Sequence, residues 1–270
     1  MKQWYAIGMA AALAVAARAQ TLEETGRRVL AEYGSSVLSI SAVVKIEAPG
    51  MGREPQEGTV NLYGTVVAPN GLIAISATTL APLSGLTEQL EARGIRPTTS
   101  VSQIKVRLPD GAQVPARQVL SDEESDLAFL MPEPESGKPA PTWPKPVIFE
   151  AGVTAQPLDP VISLTNSNAM FHWIPIVGTG QVNAILDNPR RQYLVTRSFT
   201  NAAGVPVFLG NGRPLGLATV RRETRGGAGG NMQVQQAVLV LPADTVAELV
   251  EQAQAAAAKR NTAATDNKDE

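Results

Sequence analysis

Short apolar runs broken by turn-forming pairs dominate the pattern along this chain. Ser36 to Ile46 is β-rich, with Val37, Leu38, Ile40, Val43, Val44 and Ile46 as its apolar positions. Further strand candidates cover Val60–Ala68, Leu72–Ser76, Ile104–Leu108, Gln113–Leu120, Leu127–Met131, Val161–Leu164, Gly178–Ile185, Tyr193–Arg197, Val205–Leu209, Leu215–Val220 and Gln233–Val240. Asn70-Gly71, Asp110-Gly111 and Asn211-Gly212 each separate two such runs, and these pairs favour tight hairpin turns. Many short strands at hairpin spacing predict antiparallel barrels or sandwiches.

Helical spacing is confined to three places. Thr21-Leu22-Glu23-Glu24 is a capping-box pattern and predicts a helix to about Tyr33, closed by Gly34. A second helix is expected over Leu83–Ala92. A third starts near Pro242-Ala243-Asp244 and runs to about Lys259, with Val246, Leu249 and Val250 on one face. The Pro-rich stretch from Pro132 to Pro146 divides the β-rich region as a linker would. Arg221 to Asn231, rich in glycine, reads as a mobile surface loop. The last ten or so residues read as disordered.

The first twenty residues change the picture of where the protein works. Lys2, an apolar run from Trp4 to Ala17 and the small residues of Ala17-Arg18-Ala19 fit a cleaved signal peptide, with Gln20 as the first mature residue. The expected location is therefore the periplasm or the exterior. Loss of Lys2 and Arg18 takes the formal charge from -2 to -4, so neither nucleic acid nor, after signal removal, an anionic membrane is an expected partner. The chain has 270 residues and 44% hydrophobic content, enough for a core without crosslinks. It has no cysteine and a single histidine, His172. This count rules out disulfides, a thiolate nucleophile and a several-histidine zinc site, and no cofactor or metal is expected.

Three segments together resemble the protease domain of HtrA/Deg-type, trypsin-like serine proteases. The first is Gly64 to Leu80, with Ala68-Pro69-Asn70-Gly71 at its centre. The second is Ile104 to Leu120 followed by Ser125-Asp126-Leu127-Ala128. The third is Asn201-Ala202-Ala203-Gly204-Val205-Pro206, followed by Asn211 to Leu217. The resemblance spans about Val37 to Gln252. It implies an all-β, double antiparallel Greek-key barrel, with a helix over 20–35, barrels over 36–146 and 147–241, a helix over 242–259 and a tail over 260–270. No PDZ-like segment is recognised after the barrels.

The resemblance also places the catalytic positions. The aspartate falls on Asp126, the histidine on Thr78 and the serine on Ala203. The oxyanion loop falls on Asn201, Ala202 and Ala203, with Asn201 and Val205 replacing its usual glycines. Such acyl transfer needs a hydroxyl nucleophile and a base to take its proton. Ala203 has no hydroxyl, and the Thr78 hydroxyl is far too weak a base near pH 7. Loss of either costs roughly a millionfold in turnover, or about 8 kcal/mol.

Other nucleophiles are conceivable. Ser198 and Thr200 lie just upstream, but they read as a polar strand end. No Ser and Lys are placed together by a motif, and His172 reads as a packed or surface residue among Met170, Phe171 and Trp173. Asp126 then reads as a buried structural carboxylate, satisfied by the Thr78 hydroxyl or by nearby backbone N–H groups. The expected function is a non-catalytic pseudoprotease that binds a peptide or protein of the cell envelope. The competing reading is a serine-type hydrolase with a relocated nucleophile. A purely structural envelope protein is a third.

Overall fold

A computed structural model describes residues 21–47, 56–80, 98–133, 137, 140–195, 203–226 and 232–266. The N-terminal run expected to be a signal peptide, the helix expected over 83–92, and Ser198, Thr200, Asn201 and Ala202 lie outside the described residues.

The chain forms two closed six-stranded antiparallel barrels in a trypsin-like arrangement. In the first, β1 (Val37–Glu47), β2 (Gln56–Val66), β3 (Ile73–Ser76), β4 (Thr98–Arg107), β5 (Gln113–Asp122) and β6 (Leu127–Pro132) run in the order β1-β2-β3-β6-β5-β4. In the second, β7 (Pro160–Asn166), β8 (Pro175–Leu186), β9 (Gln192–Val195), β10 (Pro206–Leu209), β11 (Pro214–Gly226) and β12 (Met232–Pro242) take the same relative order and close through β10 on β7. Closure removes the exposed edges that six short strands would otherwise present.

Sequence periodicity explains most of this. β1 alternates buried and half-buried residues along its length, as a strand with one face in a barrel core must. β3 is buried on both faces, because its outer face meets the second barrel. The three predicted turns form with Gly71, Gly111 and Gly212 at positive φ. One hydrophobic cluster runs from Val37, Leu72 and Phe129 of the first barrel to Val161, Val207 and Leu241 of the second. A separate cluster, with Ile40, Val66, Ile75 and Leu130, fills the first barrel.

Two expectations need correction. The segment Arg221–Asn231 is not a loop throughout. β11 continues to Gly226 and pairs with β12 as far as Gly226↔Met232, so only 227–231 connect them. Ladder bonding to β12 overrides the poor strand propensity of this charged, glycine-rich stretch. The closing helix, α3, runs over Ala243–Asp266, past the end its apolar stripe marks at Lys259 and into the segment read as disordered. Ala-rich composition extends a helix beyond its buried face.

The N-terminal helix α1 (Leu22–Tyr33) forms with its full capping box. The Thr21 hydroxyl accepts from the Glu24 N–H at 3.2 Å, and the Glu24 carboxylate accepts from the Thr21 N–H at 3.2 Å. The chain between the barrels is docked where it is described. Val147 N–H donates to the Val66 carbonyl at 2.9 Å, and the Ser36 hydroxyl donates to the Lys145 carbonyl at 2.5 Å. Lys145 also pairs with Glu32 of α1.

Candidate functional site between the barrels

Asp126 organises the junction. It ends the β5–β6 turn, with a left-handed φ of +55° that aspartate tolerates better than most residues. Its side chain is only 6% exposed. The carboxylate is nevertheless well supplied with donors. Oδ2 accepts from the Ser76 hydroxyl at 2.6 Å and from the Val220 N–H at 2.5 Å, while Oδ1 accepts from the Thr78 N–H at 2.7 Å. The Asp126 backbone carbonyl also accepts from the Ala77 N–H at 3.0 Å. Burial pushes the carboxyl above the usual aspartate range. The bonds from Ser76, Val220 and Thr78 pull it back in part, with the Thr78 hydroxyl contributing to that pull.

These partners come from both barrels. Ser76 closes β3, and Thr78 sits in α2 (Ala77–Leu80), the single turn that follows it. Val220 lies on β11 of the second barrel. Of the donors expected, the Thr78 hydroxyl or nearby backbone N–H groups, the N–H groups of Thr78 and Val220 reach the carboxylate; the Ser76 hydroxyl is additional. A serine ending an otherwise wholly apolar strand is a local signal that could have singled out Ser76. Nothing local marks Val220, whose contribution is a backbone group delivered by tertiary packing.

Ala203 is buried and lies at the start of the tight turn before β10. The next residue, Gly204, has φ +83°. A β-carbon there would sit 2.5 Å from the Tyr63 carbonyl oxygen and 3.3 Å from the Ser76 nitrogen. The turn thus packs directly on the end of β3. It is fixed by Gly204 N–H to the Ala218 carbonyl at 2.7 Å and by the Thr65 hydroxyl to the Gly204 carbonyl at 2.7 Å. So Thr78, Asp126 and the Ala203 turn all converge on the same end of β3. At the Thr78 and Ala203 positions no imidazole and no nucleophilic hydroxyl is presented.

A cleft of about 670 Å³ opens beside Thr78 and Asp126. The β5–β6 turn forms one wall with Glu123 and Glu124, and the second barrel forms the other with Arg190, Arg221 and Arg222. Arg190 spans the gap. It pairs with Glu124 at 2.5 Å and donates to the Ser125 hydroxyl. These arginines were not expected as site residues, because Arg221 and Arg222 fall in the segment read as a loop.

His172 is elsewhere. It occupies the β7–β8 hairpin tip at φ +57° and lines a separate hollow of about 280 Å³ beside Trp173, over whose ring the Arg107 guanidinium lies at 3.8 Å. The surrounding tip is apolar and exposed at Met170, Phe171 and Ile174. Among the described residues no group of three or more His, Asp or Glu side chains gathers as a metal site would.

No family model matches this chain, and no curated protein matches it in sequence.

Proposed function

We propose that this chain is an exported pseudoprotease of the HtrA-like type, which binds an extended peptide or protein segment of the cell envelope in the cleft between its barrels and does not cleave it. The observation that carries this reading is the state of Asp126. Its carboxylate accepts from Ser76, Thr78 N–H and Val220 N–H, and Thr78 stands where the resemblance puts the histidine, so it has no imidazole to orient and no catalytic proton to stabilise. His172, the one histidine of the sequence, lines a different hollow.

The shape of the cleft supports a peptide ligand. β10 pairs with β11 only as far as Pro206↔Leu217, whereas β12 follows β11 to its end. Among the described residues the other edge of β11 beyond Val220 therefore has no strand partner, and it borders the cleft. An edge of unpaired N–H and C=O groups recognises an extended chain by adding it as a strand.

The test uses the purified mature protein in a screen of envelope-derived peptides, alongside broad peptide and ester hydrolysis assays and a fluorophosphonate serine probe. Binding without turnover and without labelling is the expected result. Covalent labelling of Ser198, or of any other serine, overturns it in favour of a relocated nucleophile. Failure of every envelope peptide or protein to bind leaves a structural role instead.

A further inference from the structure

The two walls of the cleft carry opposite charge, and the charges are not equally occupied. On the first-barrel wall Glu124 is paired with Arg190, and Asp126 is filled by its three donors. Glu123 is exposed to solvent at the turn. On the second-barrel wall the charged lining residues are all arginines. Arg190 is engaged. Arg221 makes one long bond, 3.3 Å to the Asn188 carbonyl. Arg222 has no carboxylate partner among the described residues, and its Nε is buried without an acceptor.

An arginine carries five donors in a planar fork, and leaving them unmatched while partly out of water is unfavourable. Both side chains are half-buried where the unpaired edge of β11 meets the cleft. A chain added along that edge would pass directly beside them. The group that matches a guanidinium fork is a carboxylate, which accepts two parallel N–H bonds.

We infer that the cleft selects extended peptides bearing a carboxylate, held by whichever of Arg221 and Arg222, consecutive on β11 and so on its two faces, shares the face of the added strand on which that carboxylate lies. This rests on the peptide-binding reading above and adds the ligand class to it. Glu123 on the opposite wall, exposed at its turn, sharpens the choice, since it repels an acidic group that enters on that side. The carboxylate can come from an Asp or Glu side chain or from a peptide C-terminus.

The experiment measures fluorescence anisotropy of the mature protein with fluorescein-labelled random octapeptide pools. One pool contains Asp and Glu, a second replaces them by Asn and Gln, and a third by Lys. Each is made with a free and with an amidated C-terminus. The acidic pool is expected to bind about tenfold tighter than its amide counterpart, with the gap narrowing as salt rises from roughly 50 to 300 mM. Tighter binding of the acidic pool in both C-terminal forms assigns a side-chain carboxylate; equal binding of the three free pools, weakened in each by amidation, assigns the C-terminus.

Arg221→Gln and Arg222→Gln together should bring the acidic pool to the level of the neutral one. The comparison of acidic and amide pools needs no variant, so it stands even if the double substitution unfolds the protein. Equal binding of all pools in both C-terminal forms, or tightest binding of the lysine pool, overturns this inference and leaves the peptide-binding reading intact. An absence of binding by every pool removes both.

Discussion

At the scale of single residues, the Asp126 site is a carboxylate matched to three donors, and that matching has consequences beyond any catalytic ancestry. Asn at 126 is nearly isosteric but carries an NH₂ in place of one oxygen. If the NH₂ replaces Oδ1 it faces the Thr78 N–H; if it replaces Oδ2 it faces the Val220 N–H. Either orientation sets donor against donor. Asp126→Asn should therefore cost about 1–3 kcal/mol at pH 7, read from urea denaturation midpoints.

The pH dependence has a definite sign. Burial raises the Asp126 carboxyl above the ordinary aspartate value, so the folded state binds this proton more tightly than the unfolded chain. The stability that the group contributes is complete below the unfolded value near pH ~4, and it is lost as pH rises through the higher folded value. The stability difference between the wild-type protein and Asp126→Asn should accordingly narrow as denaturation is repeated from about pH 4 upward. A difference that widens over that interval would show that the three hydrogen bonds outweigh burial.

At the scale of elements, what the sequence made legible was what depends on local periodicity and turn chemistry. The alternation in β1, the capping box of α1 and the glycine turns at 71, 111 and 212 are local patterns, and each folds where it reads. Each of the twelve strands contains a run that reads as a strand, but β2, β4 and β8 begin before theirs, at Gln56, Thr98 and Pro175, where the earlier residues are held by their ladders. The end of β11 was not legible, because Arg221 to Gly226 is held by its ladder with β12 rather than by its own composition. The same holds at the cleft. Thr78, Asp126 and Ala203 could be singled out in sequence, whereas the arginine wall exists only once the β11–β12 ribbon is extended.

The turn before β10 shows how tightly one element fixes another. Gly204 combines a positive φ with a backbone approach to Tyr63 that leaves no room for a methyl group. Gly204→Ala should cost roughly 2–4 kcal/mol, from backbone strain together with overpacking against the end of β3. The measurement is again a denaturation midpoint. A cost below about 0.5 kcal/mol, typical of an unconstrained surface site, would mean that the turn is free to move away from the first barrel.

At the scale of the whole molecule, the two barrels share the same strand order yet do not behave as two separable cores. The hydrophobic cluster that contains Phe129 of β6 also contains Val207, Leu217 and Leu241 of the second barrel, and Val246 of α3 belongs to it as well. Polar bonds cross the same boundary, from Val220 to Asp126, from Thr65 to Gly204 and from Arg190 to Glu124. The last of these is partly solvated and adds little by itself. The apolar continuity and the buried bonds at Asp126 are what couple the halves.

Unfolding one barrel alone would expose its half of that cluster and strand the Asp126 carboxylate or its donors. The intermediate therefore gains little chain entropy relative to what it loses in burial. The expected outcome is a single calorimetric transition in which the van't Hoff and calorimetric enthalpies agree. Asp126→Asn should then lower the melting temperature of the entire molecule. Two resolved transitions, with only one of them moved by the substitution, would instead show that the barrels are independent and that the cleft is a contact between stable halves.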